Sequence, residues 1–295
     1  MGMTMFAKNV IRLFKFDLKI HHKAVRQFKD FPDMLDNLKY EIADEIRSVK
    51  LPKVMTPYES IETILHSNKS VARFGDGEFN LILGNAIGFQ EYDEKLAQRL
   101  KEVLMCQDED MLIGIYHFGT LADVNAQVRA YWRTFMAHHR ETLYQMIDFN
   151  KTYINAGLTI FGIETEDHRT AECRAATEEY YNLVRQIWQD KDITIIKGEG
   201  TETFTTDIYD NAKSVSYLYG PKENAFREYD HILAEAKKLP KDRLIIAQLG
   251  PTAKVLAYDL HKTGYRVLDL GHMGKAYHWL KNSEDKIIAG KFFAA

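Results

Sequence analysis

Two acids one residue apart, Asp76 and Glu78 in Ser70-Val-Ala-Arg-Phe-Gly-Asp-Gly-Glu78, are the side chains of this sequence best placed to do chemistry. A short apolar run ends at Gly75, and Gly77 separates the acids. In an extended backbone residues two apart project the same way, so the spacing predicts two carboxylates aimed at one point. The glycines carry no Cβ, which lets a bulky anion approach the main chain. Convergent carboxylates suit a hard divalent cation such as Mg²⁺ or Mn²⁺, and such a cation can hold a diphosphate. Gly-Asp-Gly is also ordinary turn chemistry, and the tripeptide alone fits a surface turn equally.

Other groups could share such a site. Arg73 precedes the acids and could pair with Asp76 or a phosphate oxygen. Gly250-Pro251-Thr252 is expected to join a strand to a helix, with Thr252 as cap and the N–H groups of Thr252 and Ala253 open to an anion. The bland reading of that segment is a plain turn. Asp269 sits where a ribose-binding acid stands in dinucleotide folds, although the glycine fingerprint of those folds is missing. His272 follows the same expected strand and could meet a phosphate or a sugar hydroxyl. Glu164, Glu166, Asp167 and His168 crowd another junction, where the helix dipole alone accounts for acids and a general base is the functional reading. The threonine-rich loop 199–207, ending at Asp207, is either a substrate loop or a simple connection. Tyr277, His278 and Trp279 offer either an aromatic surface or a core-facing helix side.

These residues need a scaffold, and apolar periodicity supplies one. Thr56, Pro57 and Glu59 mark a helix start with the spacing of a capping box. Strands are expected at 70–74, 111–116, 158–163, 193–196, 214–218, 244–249 and 265–270. Helices are expected at about 93–106, 121–147, 167–188, 222–238, 252–262 and 275–282. Strands alternating with helices imply an α/β fold, a Rossmann-like, mainly parallel sheet with helices on both faces. Ligands of such sheets bind beyond the carboxyl ends of the strands, where Asp76 and Glu78 lie.

Bulk properties narrow the function classes. The 295 residues are 45% hydrophobic and 27% charged with a net charge of −3, ordinary for a globular protein and without a basic field for nucleic acid. The two cysteines, Cys106 and Cys173, fit a reducing cytosol and buried packing better than a zinc site. No segment is long and apolar enough to span a bilayer and no signal-peptide pattern appears, so a cytoplasmic location is expected. Residues 1–50 read as a helical extension and 51–295 as the main domain. Within residues 5–28, Lys8, Arg12, Lys15, Lys19, His22 and Arg26 make one basic stripe opposite Phe6, Val10, Leu13, Phe14 and Leu18. That pattern fits either an anionic membrane surface or packing on the protein itself or a second copy, hence a possible homodimer.

Three stretches together resemble the GT-D family of bacterial glycosyltransferases. They are Ser70–Glu78 with Phe89-Gln90 and Leu96-Ala-Gln-Arg-Leu100; Asp207-Ile-Tyr-Asp-Asn-Ala-Lys-Ser214 preceded by Ile187-Trp188; and Leu249-Gly-Pro-Thr-Ala253 continuing to Asp269-Leu-Gly-His272. The resemblance runs from about Met55 to Leu280. It implies transfer of a hexose from a UDP-sugar to a glycan acceptor, lipid-linked or protein-linked, in surface polysaccharide or glycoprotein synthesis. It also implies Asp76 and Glu78 as holders of the cation. Two departures stand out: 200–206 reads Gly-Thr-Glu-Thr-Phe-Thr-Thr and 162–165 reads Gly-Ile-Glu-Thr. The first, just before Asp207, motivates one alternative, a non-catalytic nucleotide-sugar-binding partner. Gly250 and Asp269 motivate another, a dinucleotide-dependent oxidoreductase.

Overall fold

A computed structural model describes residues 50–116, 130–161, 171–201, 206–271 and 273–281. All but the last residue of the expected helical extension 1–50, the acids Glu164, Glu166 and Asp167, and His168 and His272 lie outside these residues. Among the described residues eight strands form one sheet in the order β1-β4-β3-β2-β8-β7-β5-β6, and every neighbouring pair is parallel. The strands are β1 Lys53–Val54, β2 Ser70–Arg73, β3 Met111–Ile115, β4 Thr152–Asn155, β5 Asp192–Gly198, β6 Ser214–Gly220, β7 Leu244–Gln248 and β8 Val267–Asp269. The helices are α1 Pro57–Leu65, α2 Asp76–Ile82, α3 Glu94–Leu104, α4 Ala130–Tyr144, α5 Ala171–Arg185, α6 Tyr229–Ala236, α7 Thr252–Lys262 and α8 Met273–Lys281.

The interior strands β2, β7 and β8 are buried on both faces, and β7, Leu-Ile-Ile-Ala-Gln, accordingly reads as a near-continuous apolar run. β6 closes one edge, and there the burial breaks up. Residues of α2, α3, α4, α6 and α7 pack into one apolar layer, among them Phe79, Leu100, Leu143, Ile232 and Leu256. Residues of α1, α5 and α8 pack into the other, around Tyr180, Tyr181 and Trp188. β2 and β8, nearly two hundred residues apart, meet at the centre with Val71 opposite Leu268.

Local sequence accounts for several element starts. Thr56 accepts from the Glu59 N–H at 3.2 Å while Glu59 accepts from the Thr56 N–H at 2.7 Å, closing the expected capping box over Pro57. Asp93 caps α3 through the Leu96 N–H at 2.8 Å. Cys106 is buried, as expected of a small hydrophobe.

Three expectations fail locally. The strand predicted at 158–163 does not form over its described residues, 158–161: β4 is Thr152–Asn155, and Ala156–Ile160 form a 3-10 helix. Asn155 is the cause, its side chain accepting the Gly157 N–H at 2.8 Å and turning the chain before the apolar run. The helix predicted from 222 begins later, because Asn224 adopts a left-handed φ of 52° and is followed by a 3-10 turn, Ala225–Glu228. Most consequentially, the segment after β2 is no extended loop but the start of α2.

Trp188 carries the second layer. It is fully buried and donates its indole N–H to the Ile208 carbonyl at 2.8 Å, tying the end of α5 to the segment before β6. Truncating such a side chain costs about 3–5 kcal/mol. Trp188→Ala is expected to lose that much in a urea unfolding titration.

Candidate functional site

Four charged side chains from four elements meet at the carboxyl ends of β2 and β8. Arg73 ends β2, Asp269 ends β8, Glu78 lies in the first turn of α2, and Lys254 in the first turn of α7. All four are buried. Asp269 accepts the Arg73 backbone N–H at 2.9 Å and pairs with the Lys254 ammonium at 3.3 Å. Lys254 also reaches Glu78 Oε1 at 2.9 Å and the Gly250 carbonyl at 3.2 Å. The Arg73 guanidinium donates to the carbonyls of Asp269 at 2.7 Å, Ala156 at 2.7 Å and Gly271 at 3.0 Å, and to Thr159 Oγ1 at 2.9 Å.

Two positive and two negative charges cancel here, as they must where water is scarce. Burial pushes the Lys254 ammonium down, but Asp269 and Glu78 outweigh it and leave its pKa above the ordinary lysine value. Burial likewise pushes the Asp269 carboxyl up, and Lys254 with Arg73 outweighs it, holding it below the usual aspartate range.

The two acids do not converge. On a helix, residues two apart project in different directions, and Asp76 and Glu78 occupy the first and third positions of α2. Glu78 turns back, and its Oε2 accepts the Gly75 N–H at 2.8 Å, the half of a capping box that a glycine N-cap allows. Asp76 is exposed, and its carboxylate has no hydrogen-bond or ion-pair partner among the described residues. The signal was present: Glu78 falls three residues after Gly75, followed by the apolar Phe79, Leu81 and Ile82.

Other candidates are placed as follows. Arg73 pairs with Asp269 rather than Asp76, and its donors serve the scaffold. Asp269 is saturated inside the cluster, not presented to a ribose. Thr252 is no cap: it is the first residue of α7, after Pro251. Its buried hydroxyl finds no hydrogen-bond partner among the described residues. The Ala253 N–H is taken by the Gly250 carbonyl at 3.1 Å. Gly250 has φ +55°, and a Cβ there would come within 2.8 Å of the Phe89 ring, so it makes room for Phe89 rather than for a ligand. Asp207 pairs with Lys281 of α8 at 2.8 Å. Tyr277 packs edge-on against Tyr181, the core-facing reading of that helix. Lys254 was missed; an Ala-Lys-Val run inside a helix gives no hint that its lysine is buried.

Other residues of the resembling stretches serve packing. Arg99 of α3 pairs with Asp259 of α7 at 2.5 Å, and Tyr229 of α6 donates to the same carboxylate at 2.5 Å. A shallow hollow of about 340 Å³, lined by Leu65, His66, Ser67, Asn68, Lys191 and Arg266, opens at the amino ends of β2, β5 and β8. That is the end opposite the acids, and parallel sheets bind at the carboxyl end. No group of three metal-ligating side chains occurs among the described residues, nor any helix long and apolar enough to cross a membrane.

Comparison with known proteins agrees with this fold. The family model for the glycosyltransferase GT-D fold matches residues 71–294. A solved domain of unknown function 1792, described as having a distinct glycosyltransferase fold, superimposes with a TM-score of 0.73 at 33% identity over 82% of this chain and 86% of that one. A glycosyltransferase of the same domain type from Streptococcus sanguinis gives 0.70 at 30% identity, over 79% and 85%. The probable glycosyl transferase Gly of Streptococcus gordonii is 29% identical over 91% of this chain and 39% of its own length. Glycosyltransferase GlyD of Streptococcus pneumoniae is 30% identical over 76% and 27%. The chain thus spans well under half of these curated relatives.

The charge cluster yields a pH signature. Because the Asp269 pKa is lowered on folding, its contribution is complete above the unfolded value of about 3.9 and is lost as pH falls through the folded value. Asp269→Asn is expected to cost about 3–5 kcal/mol at neutral pH. In urea titrations at stepped pH, its gap to the wild type should close below about pH 4.

Proposed function

This chain belongs to the GT-D fold family of glycosyltransferases, and from that premise we propose that it transfers a hexose from a UDP-sugar to a glycan acceptor, with Mn²⁺ or Mg²⁺ on the donor diphosphate. The observation that carries the reading is an exposed carboxylate, Asp76, without a partner among the described residues, beside an electroneutral ion cluster at the carboxyl mouth of a parallel sheet. Mg²⁺-type ions are commonly held by one or two carboxylates plus substrate phosphates, so the residues present fit such a cation. Of the pair Asp76 and Glu78 expected to hold it, Asp76 is the one whose carboxylate is exposed to meet the ion. Bound there, the ion would neutralise charge building on the departing diphosphate.

The chain's own groups supply the rest. The positive end of α7 faces the same rim of the sheet and favours a phosphate there. The Arg73–Asp269 pair holds the ends of β2 and β8 in register, which fixes the start of α2 against α7. Glu164 or Asp207 would accept the proton of the acceptor hydroxyl. Gly75 and Gly77 would let the nucleotide approach the main chain, and His272, which follows β8 in sequence, would meet a phosphate or a sugar hydroxyl. The basic stretch 5–28 would suit an anionic membrane bearing a lipid-linked acceptor. The dinucleotide reading loses its ribose acid, since Asp269 is committed to Lys254 and Arg73.

The test is UDP release from a panel of UDP-sugars with Mn²⁺ and oligosaccharide acceptors. Turnover is expected, is expected to stop on chelation by EDTA, and should fall at least about 100-fold in Asp76→Ala. Tight UDP binding without release for any acceptor would instead indicate a binding partner protein.

A further inference from the structure

We propose that Lys254 is the positioning residue of this site. Its ammonium is the cation that Glu78 serves, so that of the two acids only Asp76 contacts the cation on the diphosphate. The inference rests on the donor reading above and assigns the two acids different tasks.

Three oxygens surround the Lys254 Nζ: Glu78 Oε1 at 2.9 Å, Gly250 O at 3.2 Å and Asp269 Oδ2 at 3.3 Å. An ammonium has three donors, and each has an acceptor here. The other Glu78 oxygen is held by the Gly75 N–H at 2.8 Å. Both carboxylate oxygens are therefore engaged, inside a site where Lys254 and Glu78 are only 6% and 8% exposed. A divalent ion placed against Glu78 would also meet the Lys254 charge at close range, and like charges at that separation repel strongly where water is scarce. Asp76 meets no such cation among the described residues.

The geometry gives Glu78 a positioning task. It belongs to α2 and Lys254 to α7, so their pair ties the start of α2 to the turn after β7. Gly75, Asp76 and Glu78 form a single helical turn, and closing that turn through Glu78 fixes the backbone from which Asp76 projects. Loosening Lys254 would shift Asp76 without touching it.

Uptake of Mn²⁺ in the presence of UDP, read from loss of the free-ion EPR signal, tests this apart from turnover. Asp76→Asn is expected to abolish uptake. Glu78→Gln and Lys254→Met should each weaken it about 10-fold, the usual size of an indirect effect on a metal site. Their double variant should be no weaker than the weaker single, since both act through one contact. Lys254→Arg should recover most of the affinity. Circular dichroism melts establish that each variant is folded; if Lys254→Met is not, Glu78→Gln and Lys254→Arg carry the test. Glu78→Gln losing uptake as completely as Asp76→Asn would overturn the proposal, and so would additive losses in the double variant. Wild-type protein that takes up no Mn²⁺ with UDP would overturn the donor reading itself, and this inference with it.

Discussion

The centre of this fold is held by charge rather than by apolar contact alone. Where β2 and β8 end side by side, Arg73, Asp269, Lys254 and Glu78 neutralise one another inside a region from which water is largely excluded. Such a cluster adds little stability over an apolar core of the same shape, yet losing one member leaves an uncompensated charge at considerable cost. Its effect is therefore positional. Strand ends contributed by distant parts of the chain, and the first turns of two helices, can assemble in essentially one arrangement.

That constraint orders what surrounds it. α2 and α7 both begin at the cluster, so their first turns and the Asp76 carboxylate share one rim of the sheet. Further out, Asp259 binds α3 and α6 to α7 through Arg99 and Tyr229, and Trp188 binds α5 to the segment leading into β6. Several charged and aromatic side chains within the stretches that resemble GT-D proteins thus hold elements together. A family pattern can be specific because it encodes an assembly, with only a few of its residues left over for a ligand.

Elements with strong local signals were legible. The capping box at Thr56, the apolar runs of β2, β3, β5 and β7, and α7 between Thr252 and Lys262 follow from propensity and period alone. Weak or competing signals misled. An apolar run at Leu158–Ile160 became a 3-10 turn because Asn155 captured the next N–H but one, and Gly75 with Glu78 started a helix where a turn or loop seemed natural.

The order of strands and helices, the parallel sheet, and the location of an acid pair at a strand's carboxyl end were fixed by residue types and their spacing, which act over a few neighbours. Which partner each acid takes was settled only by assembly. Lys254 lies far from Glu78 in sequence, and nothing in its own helix says that it is buried. Proximity between α2 and α7 is created by the pairing of β2, β8 and β7. Electroneutrality in a dry interior then decides that Glu78 turns inward and Asp76 stays out.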